Sequence, residues 1–187
     1  RASRRRRRSR PRRRSHRVAF PGVSPDWPIE TERLPLRPFE EGDFDALFAM
    51  QSHPEVTRYL YNDPRTLDET HAHLGRKIAG ATLNEEGDWL SCAAAERASG
   101  LVVGDIALHW QSAEHKTAEL GFICDPRHQG KGYATEAARP IVDWAFAQGF
   151  HRVIGRTEAR NTASARVLEK LGMRLEAHLV ENEWVKG

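Results

Sequence analysis

Two hydrophobic periods succeed one another along this chain, and their order outlines an architecture. Within residues 29–39, Leu34 and Leu36 alternate with Arg33, Pro35 and Arg37, as in a strand with one buried face. Pro35 has no N–H to donate, which predicts a sheet edge for that strand. The helical period follows. Asp43 is placed to cap a short helix with Phe44, Leu47 and Phe48 on one face. A second short helix is expected over 53–60, and a third over 66–84, where Leu67, His71, Leu74 and Ile78 share helical spacing. Residues 89–96 and 101–111 read as a strand pair joined by the turn RASG. Another strand, over 117–124, is stopped by Asp125-Pro126. A long helix then runs to residue 148, with Pro140 expected to kink it or loosen one turn. A strand over 151–159, a helix carrying Val167, Leu168 and Leu171, and a last strand from Met173 onward complete the chain. This order predicts a mixed α/β domain, an α+β sheet with helices on both faces.

Composition sharpens the domain limits. Residues 1–17, RASRRRRRSRPRRRSHR, hold 11 arginines and no acid. Dense like charge with almost no apolar residue predicts a disordered tail. No apolar stretch follows it, so it does not read as a secretory signal. It is either a disordered arm making weak phosphate contacts with RNA or the ribosome, or a passive extension. Residues 18–28, VAFPGVSPDWP, are rich in Pro and Gly and read as a linker, leaving one domain over 29–187. The whole chain has 29 basic and 26 acidic residues, net +3. Without the 11 tail arginines, 18 basic residues face 26 acidic ones, net −8. The folded part therefore attracts cations such as amines. No apolar run approaches the ~18 residues of a membrane span, so no membrane partner is expected. Cys92 and Cys124 read as reduced thiols of a cytoplasmic protein.

The segment RHQGKGYATEA carries the chemistry. A strand ends, Gly130 and Gly132 follow, and a helix begins. The first N–H groups of a helix lack internal partners and lie at the positive end of its dipole. Glycines let that backbone approach a ligand closely, and Arg127, His128 and Lys131 add positive potential. The inference from the residues alone is a phosphate-containing ligand, against the alternative of a tight turn that binds nothing. A P-loop would need GxxxxGK followed by Ser or Thr, and a dinucleotide site would need GxGxxG; neither is present.

The spacing Arg127-x-x-Gly130-x-Gly132 after a strand closely resembles the cofactor signature of the GNAT superfamily of acetyl-CoA-dependent N-acyltransferases. TERLPLRPFEEGDFDAL resembles the opening of its RimJ/RimL-like branch, and RNTASARVLEKLGMRLEA resembles that branch's N-x-x-S segment. The resemblance implies the GNAT fold over most of 29–187 and acetyl-CoA as co-substrate. It implies a pyrophosphate held by backbone amides of Gln129, Gly130, Lys131, Gly132, Tyr133 and Ala134. It also implies pantetheine lying along Phe122, Ile123 and Cys124 like an added strand, beside a second strand that splays away. The resemblance also implies one more strand past a W-x-x-G segment such as 184–187, so the final strand of the fold is not accounted for within these 187 residues.

Acetyl transfer to an amine needs a base, an oxyanion donor and a proton or hydrogen bond for the leaving thiolate. Glu119 and Glu183 are the candidate bases; each also fits an ordinary strand carboxylate. Ser164 is the candidate donor to the sulfur, or a capping residue only, and Asn161 is expected to cap the same helix and hydrogen-bond the cofactor. A backbone N–H near Phe122 or Ile123 would serve the oxyanion. Cys124 reads as core rather than an acyl carrier, so direct attack in a ternary complex is expected. His71 and His73, two apart on a helix, point to different faces, and no metal is expected. Trp89, Trp110 and Trp184 fit an acceptor pocket or the core. The acceptor is a protein N-terminal amine or a small cationic amine; the alternative is a non-catalytic acetyl-CoA-binding module tethered to RNA or the ribosome. Monomer and homodimer both remain compatible with the sequence.

Overall fold

The computed structural model describes residues 22–187. The arginine-rich tail expected over 1–17 lies outside the described residues. One five-stranded sheet organises the rest, in the order β1-β2-β3-β4-β5, with β1 Leu36–Arg37, β2 Trp89–Ala95, β3 Val102–Ser112, β4 Thr117–Cys124 and β5 Arg152–Ile154. All pairings are antiparallel except β4 with β5. The helices are α1 Phe44–Gln51, α2 Pro54–Thr57, α3 Leu67–Ala79, α4 Tyr133–Ala147 and α5 Thr162–Lys170.

Both faces of the sheet are covered, which explains why β2 and β3 are buried along most of their length. One face carries Leu90, Cys92, Ala94, Ile106, Leu108, Ala118 and Leu120 against Ala137, Ala138, Ile141, Val142 and Ala145 of α4. The other face packs Ala93 and Val102 against Leu47 and Met50 of α1 and Leu74 of α3. This bears out the mixed sheet with helices on both faces.

Several boundaries differ from the sequence expectation. The first strand shrinks to two residues, because Ile29 folds back to pair with Leu36 at 2.9 and 2.8 Å. Its edge position, expected from Pro35, holds. The linker expected over 18–28 is docked from residue 22 on: Val23 and Leu83 exchange two hydrogen bonds of 2.9 Å. That pairing also ends the third helix early, at Ala79, with Gly80 turning the chain so that Leu83 reaches Val23. Within α3 the buried positions are Thr70, Leu74 and Lys77, while Leu67 is 55% exposed. Asp43 does not cap α1 through its side chain. It takes the Arg37 guanidinium at 2.7 Å twice and the Glu40 N–H at 2.9 Å. α4 continues through Pro140, pinned by buried residues on both sides of it.

The strand expected over 151–159 is only Arg152–Ile154, and no strand forms from Met173 onward. The two shortfalls are linked: a three-residue β5 offers little ladder for a further strand to extend. Residues 174–187 are held instead by side chains, including Arg152 with Glu176, and Lys186 Nζ on the Thr57 carbonyl at 2.7 Å. Leu175, Leu179, Val180 and Trp184 stay exposed there. Among the described residues no helix is long and apolar enough to cross a membrane.

Candidate active site

The turn between β4 and α4 is built from its buried acid outward. Asp125, at the end of β4, donates its N–H to Val103 O at 2.9 Å, and its carboxylate accepts the Arg127 N–H at 2.9 Å. The Arg127 guanidinium folds onto the same carboxylate, Nη2 to Oδ2 at 2.6 Å. Those bonds hold the Asp125 carboxyl below its ordinary range. Arg127 is therefore spent on shaping the turn, although the sequence led us to expect free positive potential from it. Gln129 Nε2 donates to Cys124 O at 3.1 Å and closes the turn on its strand side.

Beyond Gln129 the backbone opens. Gly130 has φ +76° and Gly132 has φ +83°, both in the left-handed region where a Cβ is strained. Gly132 is the N-cap of α4 and offers no capping side chain. Among the described residues, no acceptor meets the N–H groups of residues 130–135, whereas Gln129 N–H is already turned to Pro126 O at 3.4 Å. The amide cluster thus begins at Gly130 rather than Gln129. These free donors, two left-handed glycines and a helix dipole make a cradle suited to a pyrophosphate. Lys131 stands beside it, its Nζ 5.8 Å from the Tyr133 ring centre.

The second feature is an open strand edge. The β4–β5 ladder is only three residues long and ends at Glu119 opposite Ile154. β4 continues to Cys124 on its own, paired only to β3. Antiparallel ladders turn the main-chain groups of successive residues to opposite sides. Asp125 bonds to β3, so Ile123 does too, facing Asp105. Phe122 consequently presents both its N–H and its C=O to the side that β5 has left, and Cys124 presents its N–H there, its carbonyl being taken by Gln129. Of the two expected oxyanion donors, Phe122 has the N–H on the open side, and Ile123 has its own directed at β3. β5 turns away where Gly155 meets Leu168 of α5 so closely that a Cβ would stand 2.5 Å from Leu168 Cδ2.

At the point where the two strands part, the structure brings together both candidate bases. Glu119 Oε1 accepts from Arg156 Nε at 3.1 Å, and its other oxygen accepts from the Gln111 amide. Glu183 Oε1 lies 4.0 Å from Arg156 Nη1, and Glu183 Oε2 accepts the Tyr61 hydroxyl at 2.6 Å. One guanidinium therefore sits between two carboxylates. Glu119 is the more enclosed, its side chain 16% exposed against 41% for Glu183. The hydrogen bond to Glu183 raises the Tyr61 pKa, and the one to Glu119 raises that of Arg156. Arg156, Tyr61 and Gln111 were not singled out in the sequence. Gln111 lies near the end of β3 and Arg156 two residues past β5, but nothing local distinguishes Tyr61.

Ser164 and Asn161 lie at the start of α5, where the Asn161 side chain accepts the Ser164 N–H at 3.1 Å. The expected cap is there, and it is Asn161 that provides it. The Ser164 hydroxyl has no hydrogen-bond partner among the described residues and makes no polar contact with Glu119 or Glu183. Burial pushes the Cys124 thiol up to about 11, which leaves it a poor nucleophile near neutral pH. Trp110 is core, while Trp89 stacks on His109 and Trp184 is 87% exposed. His71 stacks on Phe44, and burial holds the His73 pKa down at about 3. Among the described residues no three His, Cys, Asp or Glu side chains gather as a metal would require.

A strand-to-helix cradle of free amides beside a parted pair of parallel strands is the arrangement expected of an acyl-CoA-dependent transferase. Residues 33–174 match the acetyltransferase (GNAT) domain, and the chain belongs to that family. It is an acetyl-CoA-dependent N-acetyltransferase. The chain is 30% identical over 162 residues to the uncharacterized N-acetyltransferase YnaD of Bacillus subtilis, covering 83% of this chain and 91% of that one. It is 26% identical over 157 residues to the spermidine N(1)-acetyltransferase of Vibrio cholerae, covering 83% and 87%. Among solved structures, a GNAT-family acetyltransferase from Bacillus anthracis superposes with a TM-score of 0.72 at 30% identity, over 84% of this chain and 92% of that one. The Vibrio cholerae spermidine N-acetyltransferase in complex with CoA and spermine gives 0.70 at 23% identity, over 84% and 90%, a likeness of fold.

Proposed function

We propose that this chain acetylates a primary amine of a small cationic acceptor, by direct attack within a ternary complex. The observation that carries this reading is the pair of carboxylates, Glu119 and Glu183, gathered around one guanidinium where β4 and β5 separate. A place that holds a guanidinium between two carboxylates suits an ammonium group equally well. The net −8 of the chain without its tail arginines steers such cations toward it. The spermidine N(1)-acetyltransferase relative supports the same acceptor class.

Acetyl-CoA supplies the acetyl group as a thioester. The amides of residues 130–134 bind its pyrophosphate, with Lys131 beside them, and the open edge at Phe122 and Cys124 receives its pantetheine arm. The Phe122 N–H stands ready as the oxyanion donor. Glu119 takes the ammonium proton, directly or through a water, and Glu183 with Tyr61 orients the acceptor. The free Ser164 hydroxyl is assigned to the departing sulfur. The RimJ/RimL-like motifs keep a protein N-terminus as the competing acceptor. The test is the rate of thiol release from acetyl-CoA with spermidine, spermine and an N-terminal alanine peptide. Spermidine or spermine should be turned over and the peptide not. Glu119→Gln should lower kcat about 100-fold or more while CoA affinity stays. Turnover of the peptide alone would refute the acceptor assignment.

A further inference from the structure

The cradle is shaped from outside by one residue far away in sequence. We infer that Arg33, in the segment before β1, is a positioning residue for the cofactor turn. Its Nη1 donates to the Lys131 carbonyl at 3.0 Å. Its Nε and Nη2 grip Glu136 Oε2 at 2.7 and 2.6 Å, and its own N–H donates to Glu136 Oε1 at 2.7 Å. The guanidinium carbon lies 4.6 Å from the centre of the Tyr133 ring, and Nη2 passes 3.6 Å from where a Cβ on Gly132 would stand. Arg33 thus touches Lys131, Tyr133 and Glu136 and passes against Gly132.

Two consequences follow. In a planar trans peptide the C=O and the next N–H point in opposite directions. Holding the Lys131 carbonyl therefore fixes the Gly132 N–H to point away from Arg33. Gly132 has φ +83° and no Cβ, so without that bond little restrains this peptide from rotating. Glu136 is also an acid in the first turn of α4, close to where a pyrophosphate would sit. Its charge favours the helix dipole but repels an anionic ligand. The guanidinium beside it cancels that charge. Arg33 keeps the amides aimed and the cradle from turning acidic, without being a ligand itself.

The inference rests on the turn being the pyrophosphate site, so the experiment separates the two. CoA is titrated calorimetrically into the wild type, Arg33→Ala, Arg33→Lys, Thr31→Val and a Gly130→Asp, Gly132→Asp double variant, with acetyl-CoA kinetics alongside. Thr31→Val removes the 2.7 Å bond from Thr31 Oγ1 to Glu136 together with that hydroxyl's bonds to the Leu34 main chain, so it loosens the segment and its hold on Glu136 while keeping the guanidinium and its bond to Lys131. Arg33→Ala should weaken CoA binding and raise the KM for acetyl-CoA on the order of tenfold, with kcat and the acceptor KM within about threefold. Arg33→Lys, which keeps the charge but not the fork, should recover only part of that loss. Thr31→Val should bind CoA within about twofold of wild type. Wild-type CoA affinity in a folded Arg33→Ala would overturn the inference. So would equal losses in Arg33→Ala and Thr31→Val, which would show only that the segment anchors α4. Should Arg33→Ala not fold, wild-type affinity in Arg33→Lys would overturn it. An unaffected glycine double variant would instead remove the pyrophosphate reading beneath it.

Discussion

Replacing Gly132 by alanine isolates the backbone conformation of the cradle from its packing. Gly132 has φ +83° and ψ 3° at the N-cap of α4. A Cβ there would meet only Arg33 Nη2, at an ordinary 3.6 Å, so no steric clash opposes the substitution. The cost is conformational, about 1–2 kcal/mol for an L-residue held left-handed. At this chain length that corresponds to a fall in Tm of about 2–8 °C, unless the turn relaxes. Relaxation would spare stability but rotate the Lys131–Gly132 peptide and misdirect its N–H. Either route weakens CoA binding, the second by roughly tenfold if one charge-assisted hydrogen bond is lost. Gly80→Ala is the control, because its Cβ would stand 2.7 Å from the Trp89 carbonyl oxygen, outside the site, and its cost is overpacking, about 1–3 kcal/mol. Thermal melts with and without CoA read both variants. Gly80→Ala should lower Tm and leave the CoA-induced rise in Tm intact, whereas Gly132→Ala should diminish that rise. A Gly132→Ala protein with wild-type Tm and wild-type CoA response would refute the reasoning.

Other consequences are equally accessible. Lys77 and Asp105 form a buried pair at 2.7 Å, so Lys77→Ala should destabilise the fold by about 3–5 kcal/mol by leaving Asp105 uncompensated; Lys77→Met with Asp105→Leu should recover most of the loss in denaturant unfolding. The Asp125 carboxyl is held below its ordinary value, so its bond to Arg127 contributes stability above about pH 4 and loses it as pH falls through the lower folded value. Arg127→Gln should therefore flatten the acid limb of a Tm–pH curve, and an unchanged limb would count against that pairing. Ser164→Ala should lower kcat about tenfold or more with CoA binding intact, since Asn161 caps α5 through the Ser164 N–H and not its hydroxyl; unchanged turnover would remove Ser164 from the chemistry. Removing residues 1–17 should abolish any salt-dependent RNA binding, and retained binding would place the contact elsewhere.

Much of the fold was legible because the buried faces follow simple periods. β2, β3, β4 and α5 fall where alternation and helical spacing put them, and Gly130 and Gly132 form the turn between strand and helix that was expected of them. The misreadings arise where distant contacts override local pattern. Val23 pairing with Leu83 docks the expected linker and cuts α3 short. Leu168 packing against Gly155 helps stop β5 at Ile154. Arg127 was expected to lend free positive potential, and the sequence does not show that its near neighbour Asp125 would be buried and claim the guanidinium. Glu119 and Glu183 could each be nominated from the strands expected around them. That Arg156 would stand between them, and Tyr61 close the group, depends on the meeting of four separated segments. Arg33 was visible as a polar strand position, but its hold on Lys131 and Glu136 spans about a hundred residues.

The most direct measurement of the account is a calorimetric titration of the full chain with acetyl-CoA, beside the Gly130→Asp, Gly132→Asp double variant. A cofactor phosphate site at this turn requires saturable one-site binding by the wild type and its loss in a variant that keeps its fold. Equal binding by both proteins would contradict the assignment of the turn before α4 as the cofactor's phosphate site.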